Sequence, residues 1–218
     1  MKYVERIVLL LLFLFFDGDF NYQKANDFSL IVGLSENYSL KELLSWFLLY
    51  SYMYTGLILS CFRIINQTFT SYSLVRYKDR RQVMNDYLQR VFIHLILNIS
   101  TIVLVIAIRK TVTPNLIITG EYLSQFIVIV TIGLFSTLIL FVSRNLYFTL
   151  LLVNAYILGA VVFSNVFSTI PIVGGVLKFP FYLTRVGRES FSFFYWAILL
   201  ISIFIVAHYV AAKKINYL

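Results

Sequence analysis

Apolar stretches of membrane-crossing length recur along this chain: Leu43–Ile65, Val91–Ile108, Tyr122–Val142, Leu146–Phe167 and Phe191–Ala212. A transmembrane helix needs about 20 predominantly apolar residues, so each stretch reads as a span. Between them lies too little polar sequence to build a separate soluble core. Hydrophobic residues make up 60% of the 218 and charged residues only 13%, against about 45–50% and about 25% in an ordinary soluble domain. Mean hydropathy is +0.85, which excludes both a folded soluble surface and intrinsic disorder. The expectation is an all-α membrane protein forming one polytopic domain over residues 1–218.

A sixth span is expected at the N-terminus. The uncharged run Ile7–Phe16 is short, and it crosses only if Met1–Arg6 and Asp17–Phe20 join the helix while Lys2 and Arg6 snorkel to the headgroups. A signal peptide would share the basic start and the apolar core. The residues that follow, Phe16-Asp17-Gly18-Asp19, lack a small-residue cleavage site.

Orientation follows from the positive-inside rule. With the N-terminus inside, Lys2, Arg6, Arg63, Arg76, Lys78, Arg80, Arg81, Arg90, Arg144, Lys213 and Lys214 share one side. Lys24, Lys41, Arg109, Lys110, Lys178, Arg185 and Arg188 share the other. Seven of the ten acidic residues fall on that second side, so the whole formal charge of +8 lies inside. Six spans with both termini cytoplasmic is the self-consistent reading. It accounts for the basic balance without a nucleic-acid partner.

Two segments do not fit simple loops. The cytoplasmic stretch Asn66–Arg90 is dense in cations, and Leu74, Tyr77, Arg81, Met84, Tyr87 and Leu88 recur at helical spacing. A short amphipathic helix on the membrane surface fits this pattern. It serves either as a solvated, topology-setting charge run or as a docking surface for a cytoplasmic partner. On the outer side, Ile170–Phe181 is too apolar for a loop, and Pro171, Gly174, Gly175 and Pro180 break it before it can span. A re-entrant element and a packed apolar loop both remain open.

Catalytic signatures are absent from the sequence. It has no Gly-x-x-x-x-Gly-Lys-Ser/Thr phosphate loop, no His-Glu-x-x-His zinc site and no Gly-x-Ser-x-Gly elbow. Asp17-Gly18-Asp19 lacks the further acids a metal site would need and reads as a polar helix end. The single cysteine, Cys61, reads as a small buried hydrophobe. His94 and His208 read as groups bonded to neighbouring helices or lying near the interface. Span two carries Trp46, Tyr50 and Tyr54 at four-residue spacing. Polar side chains also occur inside spans, at Asn98, Asn154 and Asn165. Core packing explains such residues, and so does a translocation path or dimer interface for an amphipathic substrate.

The stretch Ser73-Leu74-Val75-Arg76-Tyr77-Lys78-Asp79-Arg80-Arg81, in the loop between spans two and three, is similar to a basic motif of one family. With the broken segment between spans five and six, it resembles the small permease subunits of type-2 ATP-binding-cassette exporters, in particular bacterial permeases of peptide, bacteriocin or lantibiotic export and immunity. The resemblance implies six spans, a coupling helix between spans two and three that docks on a cytoplasmic nucleotide-binding ATPase, and a re-entrant pair outside. It places docking on Leu74, Arg76, Tyr77, Arg80 and Arg81, and the helical spacing of the same stretch adds Met84 to that surface. It also implies a second permease copy or paralogue in a lipid membrane, with ATP and Mg bound by the partner ATPase and no cofactor on this chain. This chain departs from the family in its minimal N-terminus, where many members carry a longer elbow helix.

Two other classes compete. A substrate-binding membrane subunit of a vitamin importer has a similar size and span number, but its docking face needs small residues in span one, and Ile7–Phe16 contains neither Ala nor Gly. A non-transporting immunity or assembly protein requires only a stable helical bundle.

Overall fold

The computed structural model describes residues 2–18, 39–69, 80–112, 121–162 and 191–214. Six helices occupy them: α1 (Lys2–Gly18), α2 (Leu40–Thr68), α3 (Arg80–Val112), α4 (Glu121–Ser143), α5 (Leu146–Val162) and α6 (Phe191–Lys214). The described residues contain no strand. Four of the helices, α2, α3, α4 and α6, are long and apolar enough to cross a membrane. The other two have 17 residues each, about 26 Å at 1.5 Å per residue, a little under the hydrocarbon thickness of about 30 Å.

α4 is the centre of the bundle. It packs against α2, α3, α5 and α6, while α1 lies outside in the groove between α2 and α3. α2 shows why this packing forms. Its buried residues Trp46, Leu49, Tyr50, Met53, Tyr54, Leu57, Ile58, Cys61, Ile64 and Ile65 recur every three or four positions and make one continuous inner face. The opposite faces of the helices are just as apolar: Ile96, Leu123, Leu151, Ile198 and Val206 are all more than half exposed. In water such a surface would drive aggregation; in a bilayer it is the surface lipid requires. The chain is therefore membrane-embedded.

Because lipid is as apolar as the core, helices associate in a membrane through close packing rather than hydrophobic transfer. Gly133 supplies that closeness. A Cβ there would collide with Leu95 Cδ2 and lie 3.2 Å from Leu57 Cδ2, so side chains of α2 and α3 pack directly against the α4 backbone at this level and would have to shift to admit one.

Helix ends are made by local chemistry. Ser39 caps α2: its hydroxyl accepts from the Glu42 backbone N–H at 3.2 Å, and its own N–H donates to Glu42 Oε2 at 2.6 Å. α2 thus begins at Leu40, three residues before the expected span. Only Arg144 and Asn145 separate α4 from α5. Arg144 takes a left-handed backbone conformation, φ 51°, and its N–H donates to the Leu140 carbonyl at 2.9 Å. Asn145 then caps α5 through its Oδ1, which accepts from Phe148 N–H at 3.0 Å. The tight hairpin expected between spans four and five is present, with Ser143 belonging to α4.

α3 departs from expectation. The span was expected to start at Val91, after a separate surface helix. Instead one helix of 33 residues runs unbroken from Arg80 to Val112. At about 50 Å it exceeds the hydrocarbon core, so about three turns project beyond it. The described part of the expected coupling helix is this projection.

Candidate functional site: the basic end of the bundle

The periodicity at Met84, Tyr87 and Leu88 does produce an apolar face, and that face packs into the protein rather than onto a membrane surface. Met84 is 1% exposed and Tyr87 is fully buried. Tyr87 stands at the centre of an aromatic cluster. Its ring centroid lies 6.1 Å from Phe69, 5.5 Å from Phe141 and 6.1 Å from His208. Phe69 and Phe141 meet edge-on at 5.3 Å, and Phe141 lies 6.2 Å from His208. Edge and tilted geometries suit ring quadrupoles better than stacked faces. The four rings come from the residue that ends α2, the projecting turns of α3, the last turns of α4 and the last turns of α6. Four helix ends are thereby tied at one level.

Polar contacts run through the same cluster. Tyr87 Oη donates to the Thr137 carbonyl at 3.4 Å. His208 Nδ1 lies 2.7 Å from the Phe204 carbonyl. A carbonyl can only accept, so the proton sits on Nδ1. His208 Nε2 faces Thr137 Oγ1 at 3.4 Å. Tyr209 Oη donates to Asn85 Oδ1, adding a second tie between α6 and the projection. His208 is thus bonded to its own helix and to α4, as expected. Phe69, Asn85, Thr137, Phe141 and Tyr209 were not legible as partners, because nothing in a single sequence reports the register between distant helices.

The outer face of the projection is charged. Arg81, Gln82, Gln89 and Arg90 are exposed, and Arg90 pairs with Asp86 at 3.0 Å within one helical turn. Arg63 and Arg144 are exposed at the same end. Between α2 and the α4–α5 turn opens a notch of about 200 Å³, lined by Phe62, Ile65, Asn66, Phe69, Leu140 and Arg144. Phe62, Ile65, Phe69 and Leu140 give it apolar walls, and Asn66 and Arg144 add polar groups.

Of the expected docking residues, Arg80 opens α3, Arg81 faces outward and Met84 turns inward. Leu74, Arg76 and Tyr77 lie outside the described residues, as do Asn165 and the re-entrant residues Pro171, Gly174, Gly175 and Pro180. Three of the expected path residues come together. Trp46, Tyr50 and Tyr54 form a buried ladder with centroid spacings of 5.0 and 6.4 Å. The ladder is bonded to α4 by Gln125 Nε2, which donates to Tyr50 Oη at 2.6 Å. Trp46 Nε1 and Gln125 Oε1 have no hydrogen-bond partner among the described residues. Asn154 donates to the Leu150 carbonyl at 2.8 Å, within its own helix α5. Asn98 lines a different cavity, with Arg6 and His94. Cys61 is buried and unpaired.

Comparison with known proteins gives no match: no family model, no curated protein and no solved structure aligns with this chain. At the basic end, an unbroken, cation-faced helical projection is tied into three other helices, beside an open notch.

Proposed function

We propose that this chain is the transmembrane permease subunit of an ATP-binding-cassette transporter. It exports an amphipathic peptide or other hydrophobic substrate using ATP and Mg bound by a separate cytoplasmic ATPase. On this reading the chain crosses the cell membrane six times with both termini cytoplasmic, and the basic end of the bundle faces the ATPase.

The observation that carries the reading is the continuity of α3. A partner pressing on Arg81 pushes a helix rod that enters the membrane without a joint. The same rod is wedged by Tyr87 and Asn85 against α2, α4 and α6. A load at the projection is therefore shared by four helices, which is what coupling of nucleotide chemistry to membrane helices requires. An acidic partner surface complements Arg63, Arg81 and Arg144, and an apolar side chain from it fits the notch beside Phe69.

A bundle of this size has no room for an enclosed peptide path, so a second permease copy or paralogue is part of the proposal. α2 turns its aromatic ladder inward. α5 keeps an outward face of Tyr147, Leu151 and Leu158, and the second copy is assigned there.

The test is co-expression with candidate cassette ATPase subunits, using Arg76→Glu combined with Arg81→Glu. The expected result is loss of the co-purified ATPase and of its turnover in proteoliposomes, with the variant itself still folded. Unchanged assembly and turnover would sink the docking role.

A further inference from the structure

A second polar site lies away from the aromatic cluster, between α1, α2 and α3. It is a cavity of about 30 Å³ whose polar lining is Arg6, Tyr52, Ser60, His94 and Asn98, with Gly56 in its wall. We infer that this cavity binds the phosphate group of an anionic phospholipid from the leaflet at the basic end of the bundle.

Depth supports this assignment. Arg6, Arg63 and Arg90 are the last charged residues of their helices before the apolar runs begin. Ser60 lies one helical turn beyond Arg63, and His94 one turn beyond Arg90. The outer end of the cavity therefore lies just inside the charged ring, within reach of lipid phosphates, and Gly56, Asn98 and Tyr52 carry it about two to three turns deeper. The chemistry also fits. Arg6 offers a guanidinium, the preferred partner of a phosphate because its donors match two oxygens at once. Tyr52, Ser60 and Asn98 add hydroxyl and amide donors, and no carboxylate is among the described residues that line the cavity. One guanidinium set among hydroxyl and amide donors describes an anion site, and basic pockets between membrane helices are where such headgroups bind.

Shape narrows the ligand further. Space for about two water-sized groups holds phosphate oxygens but not a nucleotide or a peptide. Gly56 keeps that space open, since a Cβ there would meet no atom within 4 Å. The polar residues are half-buried rather than enclosed, so the site is open to its surroundings. Beside it the outward residues Ile7, Leu11 and Ile96 are exposed and apolar, a surface along which acyl chains can lie. The site does not depend on the permease reading.

The experiment is native mass spectrometry of the full chain in detergent, offered phosphatidylglycerol, phosphatidylcholine or inorganic phosphate. Phosphatidylglycerol adducts should outlast phosphatidylcholine adducts by roughly tenfold. Arg6→Gln should abolish that preference, and Gly56→Leu should reduce it with the arginine still in place. If Gly56→Leu fails to fold, Gly56→Ser places a smaller side chain in the same space and should give a partial loss. Equal retention of the two lipids, an undiminished preference in Arg6→Gln, or binding of inorganic phosphate without lipid retention would each overturn the assignment.

Discussion

Tyr50 and Gln125 show at residue scale how polar groups are held in this bundle. The amide donates to the phenol at 2.6 Å in a fully buried setting. Tyr50→Phe removes the acceptor and leaves the amide stranded, which costs about 1–3 kcal/mol. Gln125→Met in the same chain removes the stranded group, and also the carbonyl oxygen that has no partner among the described residues. The double variant should therefore melt within a few degrees of the parent, well above Tyr50→Phe alone, in a thermal unfolding series in detergent. Tyr87 differs because its hydroxyl bond is long, 3.4 Å, while its ring touches three others. Tyr87→Phe should be nearly silent, whereas Tyr87→Ala should lose about 3–5 kcal/mol through the cavity it opens. The stripe Trp46, Tyr50 and Tyr54 was legible from its spacing alone. Its partner Gln125 was not, because a single glutamine within an apolar run carries no period and its value depends on what the neighbouring helix brings to the same level.

At the scale of elements, hydropathy located the membrane helices and local chemistry set their ends. A count of apolar residues starts α2 after Glu42. The helix starts three residues earlier, because Ser39 and Glu42 satisfy each other's backbone donors. That signal was present in the spacing Ser39-x-x-Glu42. Ser39→Ala should cost about 1 kcal/mol, readable as a lowered melting temperature with the fold unchanged. α3 also starts earlier than expected, and by more. The cation-rich stretch before Val91 looks like a separate element because its polarity changes abruptly, but the backbone hydrogen-bond ladder has no reason to stop where the side chains become charged. The α4–α5 turn carries a testable tension. Arg144 occupies a left-handed conformation that costs a residue with a Cβ about 1–2 kcal/mol relative to glycine. Arg144→Gly should raise the melting temperature. If the notch receives the ATPase, the same change should weaken assembly, so stability and docking move in opposite directions.

At the scale of the whole molecule, the bundle combines loose and tight regions. α1 sits in an outer groove, α6 presents an almost continuous apolar face to lipid, and α4 is gripped on several sides. The glycine at position 133 sets that grip. Gly133→Val should destabilise by about 1–3 kcal/mol, because the core must shift to admit a branched side chain. Force can pass through such an assembly only along parts that do not bend, which makes the junction of α3 between its projecting turns and its apolar run the point to weaken. Gln89 and Arg90 lie there, both exposed, so replacing both with glycine leaves the core contacts of Tyr87 and Leu88 in place. Each glycine costs about 1 kcal/mol of helix propensity, and the lost Asp86–Arg90 pair adds at most about 1 kcal/mol because it is exposed. The helix should therefore survive with a soft joint. If α3 is the coupling rod, the ATPase should still co-purify with this variant and still hydrolyse ATP at its basal rate, while stimulation by substrate in proteoliposomes falls several-fold. Stimulation at the parent level with the softened joint would show that the load travels by another route, through α2 or α6, and that the continuity of α3 serves only to hold the aromatic cluster together.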